Sequence, residues 1–179
     1  EIRNCDWSSD VCSSDLFSAD PVSGRRSVAV ISAVFGLGTS LVGGEADADT
    51  YHVDRSDAVI EQRIANKSIA HRRDESQPDH LRQEQVAAEQ ARMPALSAVD
   101  IARVASLARQ AAEHFGQPQD IEWALRQREL FLVQSRPITT LRNLPDPDGV
   151  LAVWDNSNIA ESYSGITTPL TFSFVRRAY

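Results

Sequence analysis

The sequence predicts an α+β chain, with strands gathered before and after one long helix instead of alternating with helices. Three observations carry this. Residues 28–34 are β-branched and apolar on both parities, as in a strand covered on both faces. Residues 97–115 repeat apolar side chains at three- and four-residue steps. Residues 120–125 and 130–134 read as two short strands joined through Arg126, Gln127, Arg128 and Glu129.

In chain order, residues 17–24 (FSADPVSG) form an extended piece ending in a turn, punctuated by Asp20-Pro21 and Ser23-Gly24. Gly36-Leu37-Gly38 ends the strand at 28–34, and residues 50–53 and 59–64 are two further short strands. Residues 66–90 are polar and charged without a strong period, which reads as a surface excursion leading into a helix. Ser97 with Asp100 three residues on is an acidic variant of the capping box. Ile101, Val104, Leu107, Ala108, Ala111 and Phe115 then share one face, and Gly116 and Pro118 stop the helix. In strand 120–125, Ile121 and Trp123 alternate with Asp120, Glu122 and Ala124, which puts the carboxylates on the face opposite the bulky apolar groups. Residues 142–150 are a linker by composition, with two prolines and a glycine. Thr168-Pro169 then offers an N-cap and a first-turn proline for a helix beginning at 170.

The chain has 179 residues, 18 basic and 25 acidic side chains, a net charge of −7 and two cysteines. The acidic balance excludes a nucleic-acid binder steered by a basic face. The longest apolar stretch, residues 28–38, falls far short of the roughly 20 residues that span a bilayer. Residues 1–16 (EIRNCDWSSDVCSSDL) have no helical or strand period and hold both cysteines. From Trp7 to Leu16 they match TGG AGT TCA GAC GTG TGC TCT TCC GAT CT plus one base, and so resemble a translated sequencing adapter. Setting this segment aside as disordered removes one arginine and four acids, so the net charge becomes −4 and no thiol remains for a disulfide or a thiolate metal site. A chain that begins at such a junction is expected to be a fragment.

Glu122, Gln134 and Arg136 are the candidate site. On a hairpin, residues near the strand ends can converge on one face. A carboxylate and an amide oxygen are hard ligands suited to Mg²⁺, and a guanidinium matches a phosphate edge. The bland alternative is an exposed charge pair worth about 0–1 kcal/mol. Other signals are weaker. Gly36-Leu37-Gly38 after a strand lacks the third glycine of a dinucleotide fingerprint, since Leu41 occupies that position, so a tight turn is the simpler reading. Asp47 and Asp49, two apart before a strand, read as solvated loop acids sooner than as metal ligands. His52, His71, His80 and His114 have no second ligand at metal-like spacing.

The segments FSADPVSGRRSVAVISAVFGLG, GGEADADTYHVDR and HFGQPQDIEWALRQRELFLVQSRPITTL resemble the nucleotide-binding domain of the phosphoenolpyruvate synthase and pyruvate phosphate dikinase family, which the rifamycin phosphotransferases share. The likeness is carried above all by Asp120-Ile121-Glu122-Trp123 and Gln134-Ser135-Arg136-Pro137. It implies the C-terminal half of an ATP-grasp domain over residues 17–141, with 142–150 as linker and 151–179 as the truncated start of a following domain.

The same resemblance implies ATP and Mg²⁺ as cofactors, with Glu122 as metal-coordinating carboxylate and Gln134 as second metal or phosphate contact. Arg136 would be the catalytic cation on the transferring phosphoryl group. The phosphoryl group would pass to a carrier histidine on another domain, since no Gly-Gly-x-Thr-Ser-His-like segment is present, and then to pyruvate or to an antibiotic. A non-catalytic nucleotide-binding module is the remaining alternative. The resemblance also implies a cytoplasmic enzyme without nucleic-acid or membrane partners, whose missing N-terminal half leaves this chain nearly inactive alone. Thr39 stands where the family often has glutamate, which puts a nucleotide contact there in doubt.

Overall fold

The computed structural model describes residues 11–42, 46–74, 80–150 and 168–178. Residues 1–10 of the adapter-like segment, Gly43-Gly44, and the expected start of a following domain at 151–167 lie outside the described residues. In chain order the elements are β1 (Val11–Phe17), β2 (Ala29–Phe35), α1 (Thr39–Val42), β3 (Asp49–Val53), β4 (Val59–Arg63), β5 (Ile69–Arg73), β6 (Leu81–Gln85), α2 (Ala88–Ala91), α3 (Ala98–Phe115), β7 (Gln119–Arg126), β8 (Glu129–Pro137) and α4 (Pro169–Ala178). The chain divides into two units, Glu1–Asp148 and Gly149–Tyr179. No helix among the described residues is long and apolar enough to cross a membrane.

The first unit is built on an antiparallel sheet of order β4-β3-β2-β1-β7-β8. Register sorts its side chains onto two faces. Tyr51, Ile31, Leu16 and Ile121 stand in one row across β3, β2, β1 and β7. All four are fully buried, and with Trp123 they pack beneath Ile101, Val104, Ala105, Ala108 and Ala111 of α3. The mixed α+β architecture expected from the sequence is what forms.

Helix α3 starts and stops where its caps dictate. Ser97 Oγ accepts the Asp100 amide at 3.2 Å, which satisfies an otherwise orphaned donor of the first turn, and Gly116 ends the helix in the left-handed region at φ 66°. Phe115 departs from expectation. It is 51% exposed, in a last turn beyond Ala111 where even a Cβ on Gly116 would meet nothing within 4 Å.

Two segments differ more sharply from the sequence reading. Residues 69–73 and 81–85, read as part of a surface excursion, pair as the antiparallel strands β5 and β6. Residues 11–16, set aside as disordered, make most of β1, the strand that pairs with β2 on one side and β7 on the other. The backbone ladder does not read side chains, and Leu16 fills the core slot that opens between Ile31 and Ile121. The remaining side chains fit less well. Ser14 Oγ is buried without a hydrogen-bond partner, and Asp15 lies directly opposite Glu122.

Lys67, the only lysine, is fully buried and lies 2.6 Å from the equally buried Asp49. Asp49 also accepts the amides of Ala65 (2.9 Å) and Ala95 (2.8 Å) and the Tyr51 hydroxyl (3.2 Å). This carboxylate therefore ties β3 to the segment entering β5 and to the segment entering α3. A buried charge persists only when paired and hydrogen-bonded in this way.

Residues 142–148, expected to be linker, are fastened to the first unit. The Arg26 guanidinium donates to the carbonyls of Leu141 and Leu144, Asp146 accepts the Arg26 amide, and Asp148 pairs with Arg25 at 3.1 Å. In the second unit α4 begins at Pro169, with Thr168 Oγ1 accepting the Thr171 amide at 3.4 Å. Leu170, Phe172 and Phe174 are exposed on it.

Candidate functional site

Strands β7 and β8 meet through Gln127 and Arg128, both at positive φ, which makes the two-residue turn that matches strand twist. From that turn Trp123 pairs with Leu132, whereas the next pairs are Glu122 with Gln134 and Asp120 with Arg136. The register shift between Glu122 and Trp123 leaves Val133 as an extra residue on β8. Because side chains alternate with period two, this one residue decides the site. Without it Gln134 would pair with Ile121 and turn toward the core face. The bulge instead sets Glu122, Gln134, Asp120 and Arg136 together on the open face, away from α3.

The face is charged and wet. Glu122 and Gln134 are exposed neighbours across the ladder. Arg136 is largely exposed, and its Nε donates to Asp120 Oδ2 at 2.8 Å. This hydrogen bond, then the charges of Asp120 and Glu122, raise the Arg136 pKa above its already high ordinary value. Asp15 of β1 lies on the same face. Burial first, then the charges of Asp120 and Glu122, push its carboxyl above the usual aspartate range, with Arg136 opposing. Three carboxylates thus share one guanidinium.

Beside Glu122 lies a cavity of about 300 Å³. Leu37, Leu41 and Val133 give it apolar wall, Asp15 and Glu122 its acidic end, and Thr39 a hydroxyl. The Gly36-Leu37-Gly38 segment is indeed a tight turn. Gly36 sits at φ 77°, and a Cβ there would lie 2.3 Å from the His71 carbonyl oxygen. That same oxygen accepts the Leu37 amide at 2.8 Å.

The structure therefore brings Glu122, Gln134 and Arg136 together on one face, through a bulge that the regular spacing of the hairpin does not indicate. It adds Asp120 as partner of Arg136, which the shared parity of Asp120 and Glu122 could have indicated. Asp49 is buried and saturated by Lys67 and three further donors, not solvated, while Asp47 is exposed. Among the described residues no group of three or more His, Cys, Asp or Glu converges as a metal site. His71 lies beside Thr39, and His114 stacks edge-on against Phe115.

The antiparallel sheet thus has one face under a helix and the other carrying acids, an amide and one guanidinium beside a cavity. Residues 9–148 match the family model described as pyruvate phosphate dikinase, AMP/ATP-binding domain. The chain belongs to that family. It is 38% identical over 161 residues to a rifampicin phosphotransferase of Bacillus cereus, an alignment covering 89% of this chain and 18% of that protein. It is 42% identical over 132 residues to a rifampicin phosphotransferase of Bacillus subtilis, covering 73% and 15%. It is 37% identical over 128 residues to a probable phosphoenolpyruvate synthase of Archaeoglobus fulgidus, covering 71% and 16%. The chain thus spans less than a fifth of the length of these relatives.

Proposed function

We propose that this chain is the ATP-binding part of a dikinase-type phosphotransferase, corresponding to the C-terminal half of an ATP-grasp domain. The observation that supports it is the pairing of Glu122 with Gln134 and of Asp120 with Arg136 on one open face beside the cavity. Glu122 and Gln134 present two oxygen donors, which fits Mg²⁺ sharing its coordination with ATP phosphates instead of sitting in an all-protein cage. When bound, the ion neutralises charge on the phosphates. The side chains do the rest. Arg136 stabilises negative charge on the transferring phosphoryl oxygens, and Asp120 holds its guanidinium in place through Nε, leaving the terminal nitrogens for the ligand.

In the intact protein the phosphoryl group passes to a carrier histidine on another domain and then to a small-molecule acceptor. Pyruvate is the acceptor implied by the synthase relatives. An antibiotic of the rifamycin class is a second reading, favoured by the longer and closer alignments to proteins named rifampicin phosphotransferase. The chain alone, lacking the other half of the nucleotide cleft, is inactive in this reading.

The test uses the protein expressed from the uninterrupted gene. Arg136→Ala is expected to lower ATP-dependent AMP formation by a factor of about 10²–10³, as loss of a transition-state donor does, with an unchanged thermal melt. Unchanged AMP formation refutes the assignment. Supplying pyruvate and a rifamycin in separate assays decides the acceptor.

A further inference from the structure

The geometry points to His71, on the hairpin outside the main sheet, as a positioning residue for nucleotide binding: it holds the glycine turn and the Thr39 hydroxyl at the rim of the cavity beside Glu122. This rests on the nucleotide-binding reading above. His71 meets the turn in three ways. Its carbonyl oxygen accepts the Leu37 amide at 2.8 Å. The same carbonyl approaches Gly36 so closely that no Cβ fits between them. Its ring Nδ1 lies 3.0 Å from Thr39 Oγ1. Leu37, Gly38 and Thr39 all line the cavity, so a shift of β5 is a shift of the cavity wall. The hairpin is itself anchored upstream, where the buried Lys67 joins Asp49. The main-chain contacts fix the turn's height, and the ring contact fixes the Thr39 rotamer. Only the second depends on the His71 side chain, and it acts on a group that faces the ligand space.

Binding of Mg·ATP to the full-length protein by calorimetry, with steady-state kinetics, tests this. His71→Ala and Thr39→Val are each expected to weaken Mg·ATP binding and raise KM about three- to tenfold, the worth of one lost hydrogen bond, with kcat changed less than about twofold. Combined, they are expected to cost no more than either alone. His71→Asn, whose side-chain amide reaches the Nδ1 position, is expected to restore binding. An unchanged Kd in His71→Ala, additive losses, or an Asn variant that recovers the melting temperature but not the affinity would each overturn the proposal. If the unaltered protein does not bind Mg·ATP, the nucleotide reading itself fails and this proposal with it.

Discussion

Replacing Asp49 by alanine attacks the one buried carboxylate that three parts of the fold share. The change strands the Lys67 ammonium at 0% exposure and leaves the Ala65 and Ala95 amides and the Tyr51 hydroxyl without their acceptor. Breaking a buried pair by removing one partner costs about 3–5 kcal/mol, and orphaned buried donors add about 1 kcal/mol or more. Lys67→Met removes the other partner but conserves volume and leaves Asp49 with three donors, so its cost is expected near 2–3 kcal/mol. A domain of this size has about 5–15 kcal/mol in all, so Asp49→Ala should come close to unfolding it. Urea unfolding of the whole chain reads both variants through the midpoint at constant slope. Because the pair is shielded from solvent, 1 M salt should leave the difference between the variants unchanged. Two variants within 1 kcal/mol of wild type, or a Lys67→Met as costly as Asp49→Ala, would refute the view that the carboxylate is the hub.

Asp15→Ala is expected to stabilise the chain by about 0.5–1 kcal/mol at pH 7, since it removes a like charge directly across the ladder from Glu122. The sign with pH follows from the raised Asp15 pKa: its protonated form favours the folded state below the unfolded value, and this is lost as pH rises through the higher folded value. The gain from Asp15→Ala, read by thermal melts across pH, should therefore shrink below about pH 4; a gain constant with pH contradicts it. Gly36→Ala combines a left-handed backbone with a 2.3 Å approach to the His71 carbonyl, so a loss of about 2–4 kcal/mol in urea unfolding is expected, and a loss below 1 kcal/mol would show that the hairpin yields.

Local signals made some of this legible and long-range pairing hid the rest. Helix α3 could be read because its period, Ser97 cap and Gly116 stop all agree within one segment. The pair β7–β8 could be read from the alternation of Ile121 and Trp123. The hairpin β5–β6 could not, because His71, Arg72, Arg73 and Arg82, Gln83, Glu84 show no apolar alternation and its contacts with the glycine turn run largely through the His71 carbonyl. Lys67 gave no cue either, since its partner lies 18 residues away, on β3. At the candidate site the residue types were legible but their exact facing was not. The extra residue Val133 sets that facing, and a bulge leaves no mark in composition.

Strand β1 gives the sheet an unusual vulnerability. It joins β2 to β7, with Leu16 paired to Ile31 on one side and to Ile121, 90 positions further along the chain, on the other, and among the described residues no other strand laces the two halves of the sheet edge to edge. A chain trimmed at Phe17 would turn two interior strands into open edges, each flanked by the apolar side chains that now face α3. Such edges recruit whatever extended peptide is at hand, including another copy of the same molecule. Strand β1 is thus also the sheet's guard against strand exchange. Any segment that can lie extended and place one apolar group at position 16 could serve in its place.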